Sequence, residues 1–313
     1  MRERFVEIAA RVRNWGRWGP DDQLGTLNLV DEAARLRAAA TVRTGQAVAL
    51  GLPLSEEEGI QVGVVPGRVN PRRTMIAVDE PLSADPEWIR SSEDVVSLAL
   101  QCATHWDSLA HVSYGGVIYN GFPASSVTAG GAGRCGIHLV RTLVTRGVLL
   151  DVARAQGVDV LAPGHPVSPE DLDAALELAG VELAPGDVVL VRTGQMVHLH
   201  LGDGVAERDL VAYTWPTPGL TMATAEWFHA RDVAAVATDT LPLEVFPGEE
   251  EDTYLPVHLL HLVEMGMTQG QNWVLDGLAE ACAADGNYDF LLDATPLPFT
   301  GGLGSPLNPV ALR

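Results

Sequence analysis

Two imidazoles and a carboxylate fall within seven residues in the run His105-Trp106-Asp107-Ser108-Leu109-Ala110-His111. Gln101 lies just upstream, so polar side chains occupy positions 101, 105, 107 and 111, all of them odd. Because alternate side chains of an extended chain point to one face, a single strand would aim all four into one cavity. Buried imidazole and carboxylate groups are costly unless they are paired, metal-bound or catalytic. The segment therefore predicts the floor of an active site.

A second polar cluster lies near the carboxyl end, within an apolar helical pattern. Leu255-Pro256-Val257-His258 precedes His261, and Gly270-Gln271-Asn272-Trp273 follows. On a helix His258 and His261 would share a face, because they are three residues apart. A lone histidine on an apolar helix is more often a hydrogen-bonded core residue than a ligand, so these residues alone do not define a site.

Apolar and β-branched stretches predict the elements that position these clusters. We expect strands at 46–53, 73–78, 94–103, 145–152, 186–193, 233–238 and 288–294. We expect helices at 2–13, 31–40, 168–178, 221–230, 255–265 and 275–284. The intermixing of strands and helices favours an α/β fold with a mixed sheet. We interpret residues 1–313 as one domain, with 1–45 as a helical and loop extension that packs on it.

The charge balance limits the partners and the chemistry. The chain has 41 acidic and 20 basic residues, a net charge of −21, and no lysine. A strongly negative protein repels phosphate backbones and anionic membranes, so neither nucleic acid nor a membrane is expected as a partner. Without lysine there is no Schiff-base enzyme and no lysine-containing phosphate-binding loop.

Other features indicate a small-molecule enzyme of the cytoplasm. No apolar run reaches the roughly 18–20 residues of a membrane span, and the first residues are charged, so we expect a soluble cytoplasmic protein. The loops 54–72 and 240–254 are long enough to be lids, although flexible surface loops are as common. We place Trp106 and Trp215 near a substrate. Arg134 or Arg192 could pair with a substrate carboxylate, but a surface ion pair is the more common use of either.

The sequence resembles a known family, the cyclases that include bacterial kynurenine formamidase and isatin hydrolase. Their hallmark is H-x-G-T-H-x-D-x-P-x-H, and residues 101–111 read Q-C-A-T-H-W-D-S-L-A-H here. The remaining matching blocks are Asn14–Asp22, Leu24–Leu29, Thr145–Val152, Gly186–Gly194, Pro218–Leu220, Leu255–His258 and Pro296–Ala311. The resemblance therefore covers nearly the whole chain.

The resemblance implies a compact mixed β/α fold of the swivelling β/β/α type and a homo-oligomer, either a dimer or a tetramer. It implies a divalent metal, manganese or zinc, at the positions of Gln101, His105 and Asp107, and proton transfer by His111. A later pair, at the positions of His258 and Gln271, would hold a second metal.

Two of these six positions depart from the family pattern, and both hold glutamine. A glutamine carbonyl is a neutral and weaker donor than imidazole, and oxygen-preferring metals bind less tightly when a carboxylate is lost. A second metal is therefore not expected. A single metal on Gln101, His105 and Asp107, with His258 as a further ligand, remains open. A metal-free pocket, in which the glutamines hydrogen-bond the histidines and a substrate carbonyl, remains equally open.

Three functions are compatible with these residues. The first is hydrolysis of an amide or lactone bond in a small, cyclic substrate, with catalysis by His111, Asp107 and His105. The second is a metal-free acid–base cyclisation or dehydration in a natural-product pathway. The third is a non-catalytic protein that binds a small molecule. In each case the substrate would contact Gln101, Trp106, Trp215 and Gln271.

Overall fold

A nine-stranded mixed sheet crosses the molecule and carries the histidine-containing segment near one edge. The computed structural model describes residues 2–61, 65–201, 208–249 and 254–313, so 62–64 and 250–253 of the two predicted loops lie outside the described residues. The strands are β1 Ala47–Ala49, β2 Arg72–Pro81, β3 Arg90–Ser97, β4 His105–Asp107, β5 Val127–Thr128, β6 Gly131–Ala132, β7 Val144–Asp151, β8 Pro166–Val167, β9 Val188–Arg192, β10 Gly219–Leu220, β11 Ala235–Thr238, β12 Thr268–Gln271, β13 Asp289–Asp293, β14 Gly304–Pro306 and β15 Val310–Leu312.

The helices lie on both faces of this sheet. They are α1 Arg2–Val12, α2 Glu32–Ala39, α3 Val152–Ala155, α4 Pro169–Ala179, α5 Leu210–Thr214, α6 Ala223–Ala230, α7 Pro256–His258 and α8 Asp276–Asp285. A π-helix, Leu259–Met265, continues α7, and short 3-10 turns occur at Gly25–Leu29, Tyr119–Gly121, Ala124–Ser126, Ile137–Leu139 and Gln195–Leu199. None of the helices in the described ranges is both long and apolar enough to cross a membrane.

Parallel strands form the middle of the sheet, in the order β7-β9-β11-β12. Antiparallel strands extend it on both sides, with β13, β15 and β1 on one and β4 and β14 on the other. β9 and β11, at the centre of the sheet, are buried on both faces, which explains their almost continuous apolar sequence. Val189 and Val191 pack in the core that contains residues of α1, α4 and α6, whereas Val188 and Leu190 pack in the core beneath α8.

The predicted mixed α/β architecture is confirmed, and the elements with strong local signals lie where the sequence places them. Ser168 caps α4 as expected: its hydroxyl accepts from the Asp171 N–H, the Asp171 side chain accepts from the Ser168 N–H, and Pro169 opens the first turn. The buried strands β7, β9, β11 and β13 each fall within one residue or two of their predicted bounds.

The prediction of a buried strand over 94–103 is wrong. β3 ends at Ser97 and pairs with β2 in a separate two-stranded hairpin, where Val95 and Val96 are exposed. The chain then turns, with Ala103 in the left-handed region at φ 48°, and enters the large sheet only at β4. An apolar, β-branched run indicates a strand, but it does not distinguish a projecting hairpin from a core strand.

The cap of α4 provides a test of this local structure. We expect Ser168→Ala to lower the free energy of unfolding by about 1 kcal/mol, because the Asp171 N–H loses its acceptor. Ser168→Asp retains an acceptor and should stay within a few tenths of a kcal/mol of the wild type. Urea unfolding of the three proteins measures both changes, and equal losses for the two variants would contradict the capping argument.

Candidate active site

A cavity of about 340 Å³ lies where β4 and β12 meet the loops before α7. Its floor is polar and its walls are mostly apolar. The lining residues are Val65, Arg68, His105, Asp107, His111, Thr214, Trp215, Leu241, Pro242, Phe246, Tyr254, Leu255, His258 and Gln271. Such a combination of apolar surface and a few convergent polar groups is typical of a small-molecule site.

Strand alternation sorts the residues of β4. His105 and Asp107 point into the cavity, whereas Trp106 points to the opposite face, as its even position requires. The Trp106 indole packs edge-on against Trp273 at 4.8 Å between ring centroids and donates to the Ala294 carbonyl at 2.8 Å. Trp106 is therefore a core residue, and the prediction that it contacts substrate is wrong.

Asp107 lies at the centre of the polar floor. Its Oδ1 is 3.7 Å from His105 Nε2 and 3.8 Å from His111 Nε2, and its Oδ2 is 3.9 Å from His258 Nε2. These separations exceed direct hydrogen bonds, so none of the three imidazoles is bonded to the carboxylate. The four side chains come together from β4, the turn after it and α7.

Amide groups hold the Asp107 carboxylate from the neighbouring strand. Gln271 Nε2 donates to Oδ2 at 2.8 Å, and Gln269 Nε2 lies 3.3 Å from the same oxygen. Burial alone would raise the pKa of Asp107, but the nearby His111, His105 and His258 and the Gln271 hydrogen bond outweigh it and lower the pKa to about 2. Asp107 is therefore the fixed negative charge of the site.

A carboxylate that the sequence analysis missed orients His258. Glu244 accepts from His258 Nδ1, and also from the backbone N–H groups of Val257 and His258, each of these two at 3.0 Å. The Glu244 contact fixes the ring so that Nε2 faces Asp107 and lies 3.3 Å from Gln271 Nε2. Glu244 was hidden in the acidic loop 240–254, where no periodicity distinguishes it from surface acids.

His261 does not share the cavity with His258. It is fully buried, and its Nδ1 lies 3.2 Å from Gln269 Oε1, whose amino group faces Asp107. The two histidines would share a face on an α-helix, but His261 belongs to the π-helix, whose wider turn changes the angle between them. His261 is a hydrogen-bonded core residue, as its apolar setting predicts.

His105 and His111 are both held as neutral imidazoles. His105 Nδ1 donates to the Ala103 carbonyl at 2.9 Å, so its Nε2 carries a lone pair, and burial lowers its pKa to about 4. Burial also lowers the pKa of His111 below its ordinary value, although Asp107 acts in the opposite direction. His111 is the more accessible of the two, with 20% of its side chain exposed.

Gln101 contacts His111 and is not among the residues that line the cavity, so its predicted contact with substrate stays a prediction. Its Nε2 is 3.4 Å from His111 Nδ1, because the chain turns between Gln101 and β4 instead of continuing as one strand. Of the other predicted substrate contacts, the structure places Gln271 on the floor of the cavity and Trp215 in its wall. Trp215, Phe246 and Tyr254 form an aromatic wall with edge-on contacts.

The two arginines considered for a substrate carboxylate lie elsewhere. Arg192 pairs with Asp151 and Asp276, and Arg134 stacks over the Phe122 ring. Arg68, in the predicted loop 54–72, is the arginine that lines the cavity, and the sequence analysis missed it.

The residues present do not fit the metal site that the resemblance implies. His105, Asp107 and His111 are metal donors of a suitable type. However, no group of three or more His, Cys, Asp or Glu side chains within the described residues is placed to hold a metal ion. Gln101 turns its amide to His111, away from the cavity. On the Oδ2 side, Gln271 presents an amino group to Asp107 and His258, where a metal would need an acceptor.

Comparisons with known proteins agree with the fold. A family model described as "Putative cyclase" matches residues 35–245. A crystal structure described as a novel cyclase is 34% identical, covers 96% of this chain and 100% of its own, and superposes with a TM-score of 0.86. Isatin hydrolase A from Labrenzia aggregata, bound to benzyl benzoate, is 21% identical, with coverage of 88% and 94% and a TM-score of 0.61.

Isatin hydrolase A from Ralstonia solanacearum is similar to the same degree, with 20% identity, coverage of 89% and 94% and a TM-score of 0.62. At these identities the two isatin hydrolases establish a common fold. No curated protein matches the sequence significantly.

Metal titration tests the interpretation of the two glutamines. We expect EDTA-treated wild-type protein to bind neither Zn²⁺ nor Mn²⁺ tightly in calorimetry. The double variant Gln101→His with Gln271→Glu should bind stoichiometrically, since it supplies an imidazole and a carboxylate. A stoichiometric metal in the purified wild-type protein would contradict the interpretation of the site.

Proposed function

The chain belongs to the cyclase family, and we propose that it is a hydrolase that opens an amide or lactone bond in a small, cyclic, aromatic substrate. The observation that carries this proposal is the Asp107 carboxylate, faced by three imidazoles at the floor of an apolar cavity. The isatin hydrolases with the same fold support the reaction class, because isatin is a cyclic amide fused to an aromatic ring.

In the proposed mechanism, a water molecule donates one hydrogen bond to Asp107 Oδ1 and one to His111 Nε2, the more accessible of the two imidazoles near Oδ1. As the water attacks the substrate carbonyl, His111 accepts its proton at Nε2, and the adjacent Asp107 charge stabilises the imidazolium. His111 then returns the proton to the leaving nitrogen or oxygen.

Gln101 is suited to support both steps. His111 Nδ1 keeps its hydrogen in both the neutral base and the imidazolium, so Gln101 supports both steps by accepting from Nδ1 through its carbonyl. In the structure Gln101 Nε2 lies 3.4 Å from Nδ1, and a rotation of the amide group brings Oε1 to that position. The Gln271 Oε1 atom, buried and without a hydrogen-bond partner among the described residues, is positioned to accept from a substrate N–H.

Replacing the proton carrier tests the mechanism. On aromatic cyclic amides, isatin included, we expect His111→Ala to lower kcat by roughly 10²–10⁴-fold with little change in KM. His198→Ala is the matched control, because His198 lies in a 3-10 turn outside the cavity. Equal activity of His111→Ala and wild type on a substrate that the enzyme turns over would remove His111 from the mechanism.

The source of the product oxygen separates hydrolysis from acid–base cyclisation or dehydration by the same residues. In water enriched in ¹⁸O, hydrolysis should place one label from solvent in the product carboxylate at each turnover. Mass spectrometry of the product measures the label. A product that forms without solvent oxygen would contradict hydrolysis and support the acid–base alternative.

The pH dependence should report the pKa of His111. The base form is neutral, so kcat/KM should fall as the pH drops through a pKa below 6.5, the direction in which burial moves this group. In Gln101→Glu a carboxylate would face Nδ1 and stabilise the imidazolium, moving the acidic limb to higher pH. A limb that stays in place in the variant would show that Gln101 does not position His111.

A further inference from the structure

Arg68 brings a positive charge into the candidate active site. It lines the same cavity as Asp107 and His111, and it is partly buried. Burial lowers its pKa, which is the direction expected when a cation loses hydration without a compensating contact. Asp107 attracts it through space, but the two side chains form no ion pair.

Other partly buried arginines in the described part of the chain have protein partners. Arg146 pairs with Asp187 and Arg192 with Asp151, whereas Arg37 and Arg208 donate to backbone carbonyls. Arg68 forms no ion pair or side-chain hydrogen bond within the described residues, although acidic residues outnumber basic ones by 41 to 20. A partly desolvated guanidinium with its five donors unused is an anion-binding group, since guanidinium geometry matches a carboxylate in a bidentate pair.

The other residues that line the cavity indicate what kind of molecule would carry the anionic group bound by Arg68. Trp215, Phe246 and Tyr254 supply aromatic surface, and Val65 and Leu241 add aliphatic contacts. Apart from Arg68, the polar groups are concentrated on the floor around Asp107. A ligand that fits has a flat apolar body against the aromatic wall and one anionic group at Arg68.

We propose that Arg68 is a specificity-determining residue that binds a carboxylate carried by the aromatic substrate. This inference rests on the proposed function for the identity of the cavity as the active site. The carboxylate is a permanent group of the substrate, distinct from the one that hydrolysis releases. Arg68 thus selects anionic ring systems, in a protein whose overall negative charge disfavours them.

Binding of simple probes tests the inference independently of catalysis. By calorimetry, wild-type protein should bind benzoate more tightly than benzamide, which has the same shape without the charge. Arg68→Gln should weaken benzoate binding roughly ten- to hundred-fold and leave benzamide unchanged, whereas Arg68→Lys should retain part of the preference. Arg72→Gln is the matched control, because Arg72 lies on the exposed hairpin with 71% of its side chain accessible.

A merely structural role for Arg68 would lower Tm in Arg68→Gln and weaken both probes alike, and this would overturn the proposal. Equal binding of benzoate and benzamide by the wild type would also overturn it. If the enzyme lacks hydrolase activity but retains the Arg68-dependent preference for benzoate, the proposed function fails and the carboxylate site stands.

An activity comparison separates the two sources of carboxylate. With isatin and isatin-5-carboxylate as substrates, Arg68→Gln should raise KM for the acid roughly ten-fold or more and leave KM for isatin unchanged. If the variant instead alters only product inhibition, Arg68 binds the carboxylate formed by hydrolysis, and the assignment to a substrate group is wrong.

Discussion

The site depends on one buried negative charge. Asp107 is almost inaccessible, and such a carboxylate persists only where donors replace its hydration. The sheet provides them through register: β12 lies antiparallel to β4, so that Gln271 is opposite His105 and Gln269 lies on the same face two residues away. Gln269 is fixed in turn by His261, and Glu244 fixes His258. Each of these contacts places a polar group near the Asp107 carboxylate or holds such a group in position. Side chains from two strands, a loop and a helix therefore meet at this site.

Local sequence patterns predict much of this arrangement, but they do not predict the residues that turns and loops bring to the site. The alternation of His105 and Asp107 correctly identified two floor residues, because the segment between them is a true strand. The same reasoning placed Gln101 and His111 on that strand as well. Both lie close to the site, but turns flank the short strand, so neither residue belongs to it. Applied strictly, alternation also assigns Trp106 to the core, where it lies. Glu244 and Arg68 belong to loops, whose conformation depends on distant contacts and leaves no periodic signal.

Glutamines stand where the family pattern has an imidazole and a carboxylate, and this changes the character of the site. The Gln271 amino group donates a hydrogen bond to Asp107, where a metal would withdraw electron density more strongly. Catalysis then depends on proton transfer to His111 beside the charged Asp107, and the apolar walls strengthen that electrostatic interaction by keeping the local dielectric low. Arg68 is the arginine that lines the cavity, and its guanidinium donors, unpaired within the described part of the chain, make substrate recognition, more than water activation, its natural role.

The π-helix after His258 has a consequence for how the family's sequences can change length. Each π turn holds about one more residue than an α turn, so Leu259–Met265 behaves as a helix that has absorbed an insertion. Deleting one residue there would restore α geometry and rotate Pro256–His258 by roughly 100° relative to Gly266 and β12. The imidazole of His258 would move away from Asp107, and Glu244 would lose its hydrogen bonds to the backbone N–H groups at the start of the helix. Insertions and deletions in this segment would therefore rotate the His258 side chain on the cavity floor, whereas the projecting hairpin can vary in length without turning any group there.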